Sequence, residues 1–246
     1  MTAAPMTGQA TRAPTLCAQC AVRHSAICSA LTAEELAGLN RISQRKTLKR
    51  GQIYVLEGDA AREYANVVAG VGKLTRGAPD GRTQVVGLLF ASDFVGTYRS
   101  SEDEGTEPYT IEAATDLDIC SFPRRKFALL AQEHPGLEAK ILARTVDELQ
   151  LARDWMVLLG RKTAPERVAT FLLYVADKME NQGCGSIKGS FDLPISRADI
   201  ADHIGLTIET VSRQMTEFRK SGAIEVAGAR HIVGYDRQAL EDMAGF

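Results

Sequence analysis

The chain has 246 residues, of which 45% are hydrophobic and 24% charged, so it falls among soluble globular proteins with enough apolar material for one large or two ordinary domains. Disordered, collagen-like and coiled-coil chains are excluded, and the longest apolar stretch, near Val85 to Ala91, is far short of the ~20 residues of a membrane span. Lys plus Arg number 29 against 31 Asp plus Glu, so any contact with nucleic acid must come from a local arrangement and not from a basic chain as a whole.

The first sixteen residues are rich in Ala, Thr and Pro and lack the apolar core of a secretory signal, so a cytoplasmic protein with no membrane partner is expected. Five cysteines follow along the chain, and Cys17, Cys20 and Cys28 fall within twelve residues. An odd number in a reducing compartment argues against a disulfide scaffold. The C-x2-C spacing of Cys17 and Cys20 lets two thiolates reach one small metal centre. From spacing alone, zinc on Cys17, Cys20, His24 and Cys28 fits as well as an iron-sulfur centre, with a plain thiol switch as a third reading.

At Leu31 to Leu39, Thr32 can cap a short helix whose positive end Glu34 and Glu35 favour. From Arg41 to about Phe122 the pattern is one of short strands such as Ile53 to Leu56 and Asn66 to Val71, punctuated by glycines, as in an antiparallel sandwich or barrel. Asp80-Gly81 is the strongest hairpin signal there. Cys120 shares an Asp118, Cys120, Phe122 face opposite Leu117 and Ile119; taken alone, a free cysteine more often fills a core than binds a metal. Cys184 lies in a loop and receives no role.

Beyond Pro123 the period becomes helical. Leu142, Val146, Leu149, Ala152, Met156 and Leu159 are spaced by 4, 3, 3, 4 and 3 residues, close to a heptad seam. Such a stripe can be a face against the chain's own core or a dimerisation seam, and the linker-like Gly160-Arg161-Lys162 after it favours the seam.

The most specific local pattern runs from Ile195 to Gly222. Ser196 and Asp199 form a capping-box-like pair, Ile200, Ala201 and Ile204 give an inner face, and Gly205 and Leu206 make a tight turn. Thr207 caps a second helix with Val211, Met215 and Phe218 at i, i+4 and i+7. This is a helix-turn-helix. Its outward face carries Glu209, Ser212, Arg213 and Thr216. Arg can bond guanine O6 and N7, Glu can accept from cytosine N4, and Ser can reach a base edge or a phosphate. The plain alternative is a solvated Glu209–Arg213 pair. The following Ile224-Glu225-Val226 and His231-Ile232-Val233 read as a small β wing and favour DNA. No His, Asp and Glu set has catalytic spacing, so an enzyme is not expected; His203 and His231 read as packing and wing residues.

In this order of parts the chain resembles the superfamily of the cyclic-AMP receptor protein and the fumarate and nitrate reduction regulator, from Cys17 onward. The cysteine cluster, ICSFP around Cys120, TAPERVATFLL after the linker and LTIETVSR are similar to the second branch. The resemblance implies an α+β fold: a cysteine-rich segment (1–30), a β-roll or jelly-roll sensor domain (31–134), a dimerisation helix (135–160) and a winged helix-turn-helix (161–246). It implies a [4Fe-4S] cluster on Cys17, Cys20, Cys28 and Cys120, although the x7 interval before Cys28 is longer than the x5 of the enteric form.

It further implies an oxygen-responsive homodimer joined by Leu142, Val146, Leu149, Met156 and Leu159. That dimer would bind double-stranded DNA at palindromic promoter sites of the TTGAT-N4-ATCAA kind through Glu209, Ser212 and Arg213. Ile208 stands where cyclic-AMP receptors place an arginine. The hairpin at Asp80, Gly81 and Arg82 resembles a loop that touches RNA polymerase and reads equally as an exposed turn. Nucleotide-binding relatives carry a Gly-Glu pair and a later Arg-Ser or Arg-Thr pair. Here Thr97 follows Gly96, Glu107-Pro108 replaces the phosphate arginine, Arg99-Ser100 is displaced, and Glu102, Asp103 and Glu104 would repel a cyclic phosphate. No cyclic-AMP binding is expected.

Overall fold

Side-chain alternation organises the first half of the chain. In the computed structural model, which describes residues 15–97, 105–180 and 189–245, β3 (Glu63–Ala69) and β8 (Leu117–Pro123) pair antiparallel with Asn66 opposite Cys120. Ala65, Val67, Leu117 and Ile119 point one way into a buried core with Ile111 and Ala113. Tyr64 and Phe122 point the other way. A period of two puts successive side chains on opposite faces, so the Asp118, Cys120, Phe122 face is where the sequence places it.

Two four-stranded antiparallel sheets result. One has the order β1-β8-β3-β6, with β1 (Gln44–Leu48) and β6 (Phe94–Val95) at its edges; the other is β2-β7-β4-β5, built from Ile53–Val55, Thr110–Ala113, Gly72–Gly77 and Thr83–Leu89. The turn between β4 and β5 is the expected hairpin, with Gly81 at φ +82. Gly70 turns the chain between β3 and β4 at φ +82, and a Cβ there would lie 2.0 Å from the Asp116 carbonyl oxygen, so no other residue fits.

Helices cover the outer face of the first sheet. After a short α1 (Thr15–Ala18) and a 3-10 turn (Ile27–Ala30), α2 (Ala33–Ile42) starts at a Thr32–Glu35 capping box. α3 (Arg124–Glu133) adds Phe127, whose ring lies 5.3 to 5.8 Å from those of Tyr64, Phe94 and Phe122. Aromatic pairs at such spacing stabilise by about 0.5–1.5 kcal/mol beyond area burial.

α4 (Pro135–Arg161) is a single 27-residue helix. The sequence places a linker at Gly160-Arg161-Lys162, but the helix continues through Gly160 and Arg161. The break falls one residue later, because Thr163 binds Glu166 Oε2 through both its N–H (2.6 Å) and Oγ1 (2.8 Å) and so starts α5 (Ala164–Glu180).

The C-terminal unit is α6 (Arg197–Ile204), α7 (Ile208–Lys220), β10 (Ile224–Ala227), β11 (His231–Tyr235) and α8 (Arg237–Ala244). A two-residue β9 (Phe191–Asp192) completes a three-stranded wing sheet of order β10-β11-β9; it is too short to carry a pattern of its own. Among the described residues no helix is long and apolar enough to cross a membrane.

Candidate cysteine site and nucleic-acid interface

Cys17, Cys20 and Cys28 from the N-terminal segment and Cys120 from β8 line one cavity of about 220 Å³. Its apolar walls include Val22, Leu36, Leu39 and Phe122, and the polar groups are few and aimed at sulfur. Arg45 Nη2 donates to Cys20 Sγ at 3.1 Å, Asn66 Nδ2 to Cys28 Sγ at 3.6 Å, and Cys17 Sγ to Asn40 Oδ1 at 3.4 Å. Arg45 and Asn66 arrive by register, each directly across from Cys120 on the neighbouring strand. No local motif reveals that pairing, so the sequence could not single them out.

Burial pushes the Cys28 thiol up to about 12, and the neighbouring Cys120, Cys17 and Cys20 add to it. Burial also raises Cys17 and Cys120, while Arg45 works against the rise at both. Without a positive centre the Cys17, Cys28 and Cys120 thiols therefore hold their protons, and binding a metal must release them. Asn66 is 1% exposed and its Oδ1 accepts no hydrogen bond. A half-turn of the amide would let Oδ1 accept from the Cys28 S–H, so this side chain suits thiol and thiolate alike.

The donor set fits an iron-sulfur cluster. Among the described residues no three His, Cys, Asp or Glu side chains gather around a point suited to a single metal ion, and His24 is exposed and does not line the cavity. Four thiols lining a shared cavity supply the one thiolate per iron that such a cluster takes. Cys184 lies outside the described residues.

The helix-turn-helix follows its sequence closely. Ser196 and Asp199 form the full capping box, Gly205 takes the left-handed conformation (φ +64), and Thr207 caps α7 through the Thr210 N–H. Val211, Met215 and Phe218 are buried. Glu209 and Arg213 are exposed and Ser212 half-exposed on the opposite face. The Glu209 carboxyl is held below its usual range by its own backbone N–H and the Thr207 hydroxyl at the helix start, so it stays an acceptor.

Two sets of contacts orient this unit. Arg167 on α5 donates to the carbonyls of Leu159 (2.8 Å), Lys162 (2.9 Å), Ile204 (3.1 Å) and Gly205 (3.2 Å). One guanidinium thus joins the C-terminal ends of α4 and α6, where carbonyls are otherwise unpaired. On the other side α6 rests on the β-roll. Lys73 pairs with Asp199 at 2.8 Å, and His203, 4% exposed, binds the Val85 carbonyl at 2.9 Å and lies 4.4 Å from the Trp155 ring. His203 is the packing residue expected, and His231 sits in the wing against Asp192 at 2.8 Å.

Along α4, Leu142 (65% exposed), Val146, Leu149, Met156 (72%) and Leu159 form an uncovered apolar stripe. The neighbouring Leu137, Ile141 and Leu158 are buried, so the stripe is not the face the helix uses for its own core. A second cavity of about 700 Å³ opens between the sheets, lined by Lys46, Tyr54, Asp59, Glu63 and Glu107 among others. There Glu107 pairs with Arg124 at 3.0 Å, both almost fully buried, and the guanidinium lies 4.4 Å from the Tyr64 ring centre. Arg99, Ser100, Glu102, Asp103 and Glu104 lie outside the described residues.

Residues 166–243 match the Crp-like helix-turn-helix domain and residues 45–134 the cyclic nucleotide-binding domain. The chain is 45% identical to a probable transcriptional activator of Rhizobium leguminosarum bv. viciae over 95% of each chain. It is 40% identical to the transcriptional activator protein FnrL of Cereibacter sphaeroides over 93% of this chain and 92% of that one. The structure of FixK2 from Bradyrhizobium japonicum superposes with a TM-score of 0.73 at 32% identity, covering 82% of this chain and 97% of that one. A β-roll, a long helix and a DNA-binding head, matched over nearly their whole length by transcriptional activators, make this chain a member of the CRP/FNR family of transcription regulators, not an enzyme.

Proposed function

We propose that the chain is an oxygen-responsive transcriptional activator holding a [4Fe-4S] cluster on Cys17, Cys20, Cys28 and Cys120. The observation that carries this is that four thiols from two distant segments line one cavity, with Arg45 and Asn66 donating to two of them. When bound, the cluster supplies oxygen-labile iron–sulfide bonds. The chain's own residues set its surroundings: Arg45 offsets thiolate charge, Asn66 donates to sulfur, and Leu36, Leu39 and Phe122 restrict water, the levers by which proteins tune such centres.

The uncovered stripe on α4 then pairs with its copy in a second chain, which sets two recognition helices into successive major grooves about one helical turn apart. Arg213 reads guanine, Glu209 the cytosine of the opposite strand, and Ser212 a neighbouring thymine or phosphate of a TTGAT-N4-ATCAA-like promoter site. RNA polymerase is the expected partner of the bound dimer, and the Asp80–Arg82 hairpin tip, with Arg82 85% exposed at its side chain, is an exposed turn open to such a contact. On this reading cyclic AMP is not a ligand: of the cations at the β-roll cavity Lys46 is paired with Glu63 and Arg124 with Glu107, and Asp59 opposes a phosphate beside Arg62.

Anaerobic purification with iron, sulfide and zinc analysis tests the reading. About four iron and four sulfide per chain, with a visible band bleached by air, is the expected result. Zinc without sulfide, or no metal, would leave a DNA-binding regulator governed by zinc or thiol chemistry.

A further inference from the structure

α4 has two faces with different neighbours. Leu142, Val146, Leu149 and Met156 are uncovered, whereas Leu137 and Ile141 pack with Ile27 of the cysteine-bearing loop. Arg144 and Glu148 continue that second face at helical spacing. Arg144 Nη2 donates to the Ser25 carbonyl at 2.6 Å, in the middle of the segment between Cys20 and Cys28. Its Nε is buried without an acceptor, and among the described residues the Ser25 carbonyl is the hydrogen-bond acceptor that holds the guanidinium.

The same point gathers two more parts of the chain. Ser25 Oγ meets Ser92 Oγ, and Ser92, at φ +79, is the only non-glycine with positive φ among the described residues. Next to it Asp93 accepts from the Phe90 N–H at 2.8 Å and faces Lys178 of α5 at 3.9 Å. Lys178 lies over the rings of Phe90 and Tyr174, and Glu148 interacts electrostatically with Asp93, Lys178 and Arg144. The cysteine loop, the β-roll, α4 and α5 therefore meet around one guanidinium and its counter-charges.

We propose that Arg144 is the positioning residue that straps the loop Val22–Ala30 to α4 and carries the state of the thiols to the dimerisation stripe on the helix's other face. This rests on the reading of Cys17, Cys20, Cys28 and Cys120 as ligands of one cluster. While the thiols are gathered, the Ser25 carbonyl fixes the guanidinium and with it the rotation of α4 against the β-roll. When the loop departs, Arg144 loses that acceptor, Ile27 leaves Leu137 and Ile141, and α4 is held less firmly.

The test measures dimer dissociation by sedimentation, loaded and metal-free, for wild type, Arg144→Met and Arg144→Lys. Arg144→Met is expected to hold full iron and sulfide with an unchanged visible spectrum. Its loaded-to-metal-free ratio of dimer affinities should fall roughly tenfold, a size typical of coupling between sites, and Arg144→Lys should recover part of it. A side chain that only stabilised the fold would shift both states together.

An unchanged ratio, or a variant that cannot load the cluster, overturns the proposal. If wild type itself contains no iron and sulfide, the cluster reading fails separately. In that case the Arg144–Ser25 strap stands in the chain as purified, without a cluster, and amide exchange of that chain decides it: faster exchange at residues 22–30 and 141–149 in Arg144→Met supports the strap, and equal exchange overturns it. Should Arg144→Met not fold, Arg144→Lys alone is read against wild type in the same way.

Discussion

The recognition helix and the cysteine cavity are built in opposite ways. Glu209, Ser212 and Arg213 stand on the outer face of one continuous helix, and the local features that shape it (Ser196, Gly205, Thr207, Val211) lie within a segment of eighteen residues, Ser196 to Arg213. The cavity joins residues 17–28 to a β-strand nearly a hundred residues later, and its sulfurs are set in an apolar lining. A contiguous motif tolerates changes elsewhere, whereas an assembled site depends on the register of the sheet beneath it.

If that contrast holds, damage to one site should leave the other intact. Cys120→Ser is expected to abolish cluster loading, read as loss of iron, sulfide and the visible band, while the thermal transition of the DNA-binding unit stays put. Arg213→Ala should do the reverse, with full loading and binding to the palindromic site weakened by about 1–3 kcal/mol per half-site, measured by titration at fixed salt. Gly205→Ala sharpens the boundary between the two. Its φ of +64 costs an L-residue about 1–2 kcal/mol, and the new Cβ would lie 3.2 Å from Leu159 Cδ2 and 3.3 Å from Arg167 Nη1, so both stability and DNA affinity should fall.

Ser196→Ala removes the N-cap of α6 and should cost about 1 kcal/mol of stability without altering loading. The smallest effect concerns pH. Burial holds the His203 imidazole below its ordinary 6.5, so below pH 6.5 the unfolded chain takes up the proton first. Stability present above that pH should decline on acidification, by about 1.4 kcal/mol per pH unit at most. His203→Leu should flatten that part of the melting-temperature profile, and an unchanged slope would assign it to other groups.

The same contrast decides what the amino-acid pattern could show. The helix cap at Thr32, the capping box at Ser196, the Asp80-Gly81 hairpin, the two faces of β8 and the apolar stripe of α4 all rest on neighbours within a turn or a strand, and each is found as expected. The helical break was misplaced by one residue because Gly160 looks like punctuation, whereas the Thr163–Glu166 bonds decide it. β9, the sulfur contacts of Arg45 and Asn66, the Glu107–Arg124 pair and the four carbonyls on Arg167 depend on strand register or on helices meeting end to end, which no window of residues contains.

The Arg167 clamp has a consequence for how DNA binding is lost. Because it ties the end of α4 to the turn of the helix-turn-helix, the helix acts as a lever arm. From Arg144 to Arg161 it runs roughly 26 Å at 1.5 Å per residue, so a tilt of only about 5° near Arg144 displaces the recognition helix by roughly 2 Å. A base-edge hydrogen bond does not survive such a shift. Two chains that remain associated but are turned slightly against each other would therefore already have released their promoter.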